Sequence, residues 1–381
     1  SNVILGKTDA STDKTLESAS YSFDPEQWYA VKIIAAGDEV SVFIDDTLVL
    51  SATDSDPIPS GSIDFATKSN AEVALDNLEV VAQVPCEYTW VETETSPYGG
   101  DINVITVDQQ DSDVVFIGTE HAGLWKSADG GLTWEEVGYS GGVARLGKTK
   151  AIAIAPSDNS IVYTAEKQDV SKSVDGGIHW TRTGLLETPV MLQALAIDPR
   201  DADVIYAALG ENAKVLPNQP KLGIFKSTDG GENWDQLDFN TFAFALAIPS
   251  STPNVIYAGA MDGVYKSTNS GEDWTRVYTL ESESVNGVSS VAVDPLDADT
   301  IYATADGILK STDGGESWSK INTQSGNKIV VSPSDASVLY LLAGQNVFKS
   351  TNGGETWNNG GQVTSKPFSL YTIAVDSSNS D

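Results

Sequence analysis

The sequence predicts an all-β protein in which a jelly-roll-like β-sandwich is followed by a seven-bladed β-propeller. Three observations lead to this prediction. An eight-residue phrase occurs six times in the last three quarters of the 381-residue chain. A strand of small apolar residues recurs with it at a fixed place in the repeat. The first 84 residues lack the phrase and alternate apolar with polar residues, which is typical of half-buried strands.

Residues 1–84 are the predicted sandwich domain. Their alternating segments include residues 28–34, 39–44 and 47–50, and Asp45-Asp46 marks a tight hairpin. The order of these segments, closed by Asp76-Asn77-Leu78, resembles the second half of a laminin-G-like or concanavalin-like jelly roll. The resemblance implies either that the other strands precede Ser1 or that this sandwich is smaller than the family's.

The same resemblance implies a rim that binds glycans or calcium, as many such domains do. Asp45, Asp46 and Asp76 could supply oxygen ligands to a calcium ion. Hairpin and turn chemistry explains the same residues without a metal, and it is the favoured interpretation. No cofactor is required on this view, and calcium is the one candidate.

The repeated phrase, called the box here, has the form S-x-[DN]-x-G-x-x-W. It predicts a turn in which the Asx side chain accepts hydrogen bonds from backbone N–H groups ahead of it, while the glycines take positive φ. Successive box serines lie 39 to 54 residues apart, which is the length of a four-stranded propeller blade. The six copies occupy residues 127–134, 173–180, 227–234, 267–274, 311–318 and 350–357.

The strands that begin the repeats are short and rich in small residues, which suits the crowded centre of a propeller. They lie at residues 104–107, 151–154, 194–197, 245–248, 290–293, 328–331 and 372–375. Seven such strands and six boxes predict a propeller domain over residues 85–381 with an incomplete last blade. A strand at residues 88–93 would close the ring.

These repeats resemble the Asp-box, or BNR-repeat, propellers, which include sialidases, sortilin-type receptor domains, xyloglucan-hydrolysing propellers and photosystem II assembly-factor-like proteins. The resemblance implies that the boxes are structural and lie at the periphery, between the third and fourth strands of each blade. It also implies that function belongs to the opposite face, called the loop face here. That face is formed by the turns from second to third strand and by the connections between blades. The structural Asx residues are Asp129, Asp175, Asp229, Asn269, Asp313 and Asn352.

Composition argues against several classes of partner. The chain carries 22 basic and 54 acidic residues, a net charge of −32, which repels nucleic-acid phosphates and anionic lipid. No apolar run reaches the ~18 residues of a membrane helix. The single cysteine, Cys86, excludes an intrachain disulfide, and it is either a partly buried thiol at the domain junction or a thiol that crosslinks chains.

The loop face contains the candidate binding residues. The number of arginines on this face tests whether the protein could be a sialidase. Sialidases hold a substrate carboxylate with three arginines, whose planar donors match it. Of the four arginines in this chain only Arg145 lies in a loop of this face, which argues against sialidase chemistry. The candidate binding residues are Glu120, His121, Arg145, Lys148, Asp262 and Asp306.

A second enzymatic interpretation rests on the segment from Thr119 to Gly123. It is similar to the Thr-Asp-x-Gly-Gly loop that holds a catalytic Asp in xyloglucan-hydrolysing propellers, with Glu120 in place of Asp. Glycoside hydrolysis needs two carboxyl groups, and Glu120 could pair with Asp262 or Asp306 across the mouth of the ring. However, each of these two aspartates precedes a glycine at one repeat position, as a turn would require.

We therefore expect a non-enzymatic binding or structural module at the cell surface or outside the cell. Its loop face would recognise a polysaccharide, a protein partner or neighbouring copies of the same chain, without nucleic acid and without membrane insertion. The alternative is a glycoside hydrolase of the xyloglucan-hydrolysing type that uses Glu120 with Asp262 or Asp306.

Overall fold

A computed structural model of the chain describes residues 2–8, 13–20, 31–36, 39–44, 47–53, 101–137, 148–166, 169–185, 191–210, 223–280, 287–362 and 372–376. Every regular element in these residues is a β-strand, so the prediction of an all-β protein is confirmed. The chain separates into two compact units, Ser1–Tyr88 and Thr89–Asp381. The predicted domain boundary at residues 84 and 85 lies outside the described residues and stays a prediction.

The part of the first unit that the structure describes forms two small antiparallel sheets. One pairs β1 (Asn2–Thr8) with β2 (Asp13–Ser20), and the other orders β3 (Val31–Ala36), β4 (Glu39–Ile44) and β5 (Thr47–Thr53). Strand β5 also packs against β1 and β2. The described strands do not establish the predicted jelly roll. Asp45, Asp46, Asp76 and Cys86 lie outside the described residues, and so does the predicted closing strand at 88–93.

The described residues of the second unit form six four-stranded sheets, each with its strands hydrogen-bonded in chain order. These are six blades of the predicted propeller. Blades 1 to 3 are β6 (Ile102–Val107), β7 (Val115–Thr119), β8 (Leu124–Ser127), β9 (Glu135–Glu136); β10 (Thr149–Ala155), β11 (Asp158–Glu166), β12 (Asp169–Ser173), β13 (Thr181–Leu185); and β14 (Met191–Asp198), β15 (Asp201–Gly210), β16 (Gly223–Ser227), β17 (Asp235–Gln236).

Blades 4 to 6 repeat the same order. They are β18 (Ala243–Ala247), β19 (Ile256–Ala260), β20 (Gly263–Ser267), β21 (Thr275–Thr279); β22 (Ser290–Val293), β23 (Ile301–Ala305), β24 (Gly307–Ser311), β25 (Ser319–Asn322); and β26 (Lys328–Val331), β27 (Leu339–Ala343), β28 (Asn346–Ser350), β29 (Asn358–Gln362). The first strands of successive blades contact one another from β6 through β26. Residues 372–376 are described but do not establish the predicted seventh blade, although Ile373 and Val375 pack against a buried cluster of blade 6 that includes Tyr340 and Leu342.

The core lies between the blades, because both faces of each sheet are buried. Along β15, Ile205 and Ala207 pack in the cluster shared with blade 2, whereas Tyr206 and Ala208 pack in the cluster shared with blade 4. Strand side chains alternate between the two faces of a sheet, so one apolar strand serves two interfaces. This explains why the second strands are nearly continuous runs of apolar residues.

Each box forms a turn that satisfies its own polar groups. In the blade 5 box, Ser311 Oγ donates to Asp313 Oδ1 (2.8 Å). The backbone N–H of Gly315 donates to Ser311 Oγ (2.8 Å), and that of Ser317 donates to Asp313 Oδ1 (2.9 Å). The same three hydrogen bonds occur in the other five boxes. The fourth box residue has positive φ, and Ser270 (φ 57°) takes this conformation without being a glycine.

Neighbouring blades are tied together at the box end. In blade 4, Tyr257 Oη (2.9 Å) and Lys266 Nζ (2.7 Å) both donate to the carbonyl oxygen of Gly314 in the next box, and the ammonium lies over the Tyr257 ring. Blade 5 contacts Gly353 in the same way through Tyr302 and Lys310. The lysine before each box serine is therefore a structural residue.

The box carboxylates predict how stability depends on pH. Hydrogen bonds from the Ser317 hydroxyl and N–H and from Ser311 lower the pKa of Asp313 to about 2, and hydrogen bonds from His179 lower that of Asp175 to about 2. Because the folded pKa lies below the ordinary value of 3.8, this stabilisation is complete above about pH 4 and is lost as the pH falls toward 2.

We expect Asp313→Asn to keep the fold and to lose part of this acid dependence. Asparagine already occupies the equivalent position at Asn269 and Asn352, where it makes the same turn. The measurement is the thermal midpoint between pH 2 and pH 6 for the wild type and the variant. A midpoint that falls equally steeply with pH in both proteins would contradict the assigned role of the carboxylate.

Candidate functional site

The turn between β7 and β8 holds Glu120 in a fixed position. Thr119 Oγ1 donates to the carbonyl oxygen of Gly123 (3.1 Å) and accepts from the N–H of Ala122 (2.9 Å). The N–H of Glu120 donates to the carbonyl oxygen of Asp101 (2.9 Å). A Thr, a Glu and a Gly in this order thus close a tight turn that presents the Glu120 carboxylate at the loop face.

Three side chains from two blades meet at Glu120. Lys148 donates to one of its carboxylate oxygens, and Asn103 Nδ2 donates to the other (3.1 Å). Lys150 Nζ donates to Asn103 Oδ1 (2.9 Å), so the amide bridges the second lysine to the carboxylate. We call this group of Asn103, Glu120, Lys148 and Lys150 the blade 1–2 junction.

The junction determines the charge of Glu120. Burial alone would raise the pKa of its carboxyl, but hydrogen bonds from Lys148 and Asn103 and the positive charges of Lys148 and Lys150 outweigh burial and lower the pKa. Burial and the charge of Lys148 lower the pKa of the Lys150 ammonium in turn. The Glu120 carboxylate is therefore held in the ionised state from which a general base accepts a proton, but its lowered pKa makes it a weaker base than a carboxylate whose pKa lies near the operating pH.

Asp262 and Asp306 are held by side chains of their own blades. Both oxygens of Asp262 accept from Tyr265 Oη (3.1 and 2.9 Å), and one also accepts from Arg276 (2.7 Å). Asp306 accepts from Lys320 (3.3 Å) and is largely exposed. The structure places these two aspartates in the β19–β20 and β23–β24 turns of blades 4 and 5, and neither contacts Glu120.

The other predicted site residues are placed as follows. His121 is exposed in the same turn as Glu120, and Arg145 lies outside the described residues. Asn103 was missed by sequence reasoning, although a polar residue within the apolar strand β6 was an available signal. Among the described residues no group of three or more His, Cys, Asp or Glu side chains could hold a metal ion, and no helix is long and apolar enough to cross a membrane.

Known proteins resemble parts of this chain. Residues 5–81 match the family model of a 3-keto-alpha-glucoside-1,2-lyase-like domain. A xyloglucanase of Hypocrea jecorina (strain QM6a) is 26% identical over 209 residues, covering 52% of this chain and 22% of that protein. The solved structure of an ancestral GH74 enzyme aligns with a TM-score of 0.52 and 20% identity, and the alignment covers 66% of this chain and 36% of that one. The structure of YCF48 bound to D1 peptide aligns with a TM-score of 0.53 and 15% identity, and the alignment covers 71% of this chain and 84% of that one.

The two solved structures establish the propeller fold, and this chain spans well under half of the xyloglucanase and of the GH74 enzyme. The prediction of a non-enzymatic module, with a protein partner or neighbouring copies as ligands, is wrong. The curated relative is a xyloglucanase, one solved structure is a GH74 enzyme, and the family model describes a lyase-like domain. The laminin-G assignment is not confirmed, because residues 5–81 match a different domain model.

Proposed function

We propose that this protein is a glycoside hydrolase that cleaves a xyloglucan-type polysaccharide at the loop face of its propeller. The observation that carries the proposal is the ionised Glu120 carboxylate, held by Lys148 and Asn103 in a turn resembling the catalytic loop of xyloglucan-hydrolysing propellers. The 26% identity to a xyloglucanase supports the same substrate class.

Glu120 acts as the general base in this proposal. Cleavage of a glycosidic bond by inversion needs a carboxylate that takes a proton from water and a carboxylic acid that protonates the departing oxygen. Two carboxyl groups suffice for this chemistry, so no cofactor is required. Calcium binding at Asp45, Asp46 and Asp76 stays a separate prediction.

The finer assignments belong to the same proposal. We assign the six box turns to the Asp-box type, because Ser, Asx, Gly and Trp are placed alike in each of them. A seventh blade would use residues 372–375 as its inner strand. A polysaccharide of this kind lies outside cells, so the enzyme would be secreted or displayed at the cell surface.

The test is an assay of the purified full chain against xyloglucan, mixed-linkage β-glucan and cellulose, with release of reducing ends as the readout. We expect release from xyloglucan above the rate of a heat-inactivated control. Oligosaccharide products would be identified by mass spectrometry. Absence of release from every polysaccharide across pH 4 to 8 would overturn the proposal.

A further inference from the structure

We infer that Gln193 and Phe244 form a sugar-binding subsite at the loop face, which takes one pyranose ring of the polysaccharide beyond the blade 1–2 junction. This inference rests on the proposed function, and it assigns two residues to the binding of the substrate chain. It starts from an irregularity that four blades share at the same place in their first strands.

Each of the first strands β6, β10, β14 and β18 contains a β-bulge at its loop-face end. In β6, Ile102 and Val104 pair with consecutive residues of β7, so Asn103 between them has no partner on that strand. The ladders of blades 2, 3 and 4 shift register at the equivalent point. The described first strands of blades 5 and 6 pair without a shift. The four bulged residues are Asn103, Lys150, Gln193 and Phe244.

The bulged residues of blades 1 and 2 already belong to the candidate site. A bulge turns its extra side chain out of the regular alternation of the strand, and bulges are frequent beside active sites. Asn103 donates to Glu120 (3.1 Å), and Lys150 donates to Asn103 (2.9 Å). The first strands of successive blades contact one another. Gln193 and Phe244 therefore continue a row that begins at Glu120 and follows the loop face across blades 3 and 4.

Gln193 and Phe244 approach the same glycine from neighbouring blades. A Cβ at Gly210, the last residue of β15, would lie 2.4 Å from Gln193 Cγ and 3.0 Å from Phe244 Cδ1. A Cβ at Gly287 would lie 2.9 Å from Phe244 Cε2. Cδ1 and Cε2 are opposite atoms of the ring, so two bare glycine backbones hold the phenyl group by its two edges and fix its plane.

Neither side chain is fully engaged by the described residues around it. Ala243 and Ala245 belong to buried clusters on the two faces of blade 4, whereas Phe244 between them belongs to neither cluster and is half-buried. Gln193 is half-buried as well, and no described residue hydrogen-bonds to its amide. An aromatic ring and an amide group thus lie side by side at the loop face.

This pair of side chains suits a pyranose ring. A β-linked glucose unit carries its hydroxyl groups at the rim of the ring and C–H groups on its faces. One face can lie on the flat Phe244 ring, whose surface is apolar and negatively polarised. The Gln193 amide can donate to one rim hydroxyl and accept from another. Ligand sites commonly combine aromatic surface with a few placed polar groups in this way, and these contacts need no charge on the sugar.

The experiment compares Gln193→Leu and Phe244→Leu with the wild type on xyloglucan. Leucine keeps much of the volume of each side chain but has neither the amide nor the flat ring. For each variant we expect KM to rise about tenfold, which corresponds to about 1.4 kcal/mol. We expect kcat at saturation to fall less than about threefold, because the junction is left intact. The difference from wild type should grow with the length of a glucan oligosaccharide substrate.

Equilibrium binding gives a second readout that needs no turnover. In the Glu120→Gln background, the Kd for a xyloglucan oligosaccharide, measured by isothermal titration calorimetry, should rise about tenfold with either leucine variant. Phe244→Tyr keeps the aromatic ring and should restore the affinity that Phe244→Leu loses. The matched control is Gln109→Leu, at an exposed position in the β6–β7 turn, which should change neither KM nor Kd. Thermal midpoints establish that each variant is folded.

The possible failures can be told apart. An active wild type with unchanged KM and Kd in both leucine variants would overturn this inference alone. A fall in kcat without a rise in KM would also overturn it, because it would indicate a distorted junction rather than a lost sugar contact. A wild type inactive on every polysaccharide would overturn the proposed function, whereas oligosaccharide binding that is insensitive to both residues would overturn only the subsite.

Discussion

Replacing Glu120 with glutamine is expected to lower kcat on xyloglucan about 10³-fold, within the range typical of losing a general base. The amide matches the carboxylate in size but cannot take a proton from water. It also leaves the Lys148 and Lys150 ammonium groups without the negative charge that they share. Release of reducing ends under substrate saturation measures the loss, and Glu232→Gln in the blade 3 box is the size-matched control.

The pH dependence adds a second readout for the same residue. Because the pKa of Glu120 is lowered from the ordinary 4.5, the base stays ionised below that pH, and activity should persist on the acidic side. Lys148→Met removes the hydrogen bond and the charge that lower this pKa, so the acidic limb of kcat/KM should move to higher pH. An acidic limb that does not move in Lys148→Met, or full activity in Glu120→Gln, would contradict the assignment of the base.

The fold could be predicted from sequence because its strongest signal is local. A box completes its hydrogen bonds within eight residues, from Ser311 to Trp318 in blade 5, so every group it needs is visible in one short phrase. The blade number could not be settled in the same way. The predicted seventh blade would take strands from residues 88–93 and 372–375, and no short phrase records a pairing between segments so far apart in the chain.

The candidate site could be predicted only in part, because it joins residues from different strands. Glu120 was found from its own turn, but its partners Asn103 and Lys148 lie 17 and 28 residues away in sequence. Their contact with Glu120 depends on how β6 and β10 pack side by side. The pairing of Glu120 with Asp262 or Asp306 stays a prediction; sequence reasoning did not foresee that Arg276, 14 residues after Asp262 on β21, donates a hydrogen bond to it.

A large expected effect on stability comes from Gly307→Ala at the start of β24. Gly307 has φ 108°, and a Cβ there would lie 2.4 Å from the carbonyl oxygen of Asn322 on the neighbouring strand β25. Left-handed backbone costs about 1–2 kcal/mol for a residue with a Cβ, and an overpacked contact adds about 1–3 kcal/mol. We therefore expect a loss of about 4 kcal/mol in the free energy of unfolding.

Gly344→Ala is the matched control, since Gly344 occupies the corresponding turn of blade 6. Its φ is 63°, but a Cβ there would meet nothing within 4 Å, so only the backbone cost of about 1–2 kcal/mol applies. Denaturant unfolding followed by tryptophan fluorescence compares the two variants. Equal losses would show that β25 yields to the new methyl group. A much larger loss for Gly307→Ala means that the close approach of β25 requires the glycine after Asp306.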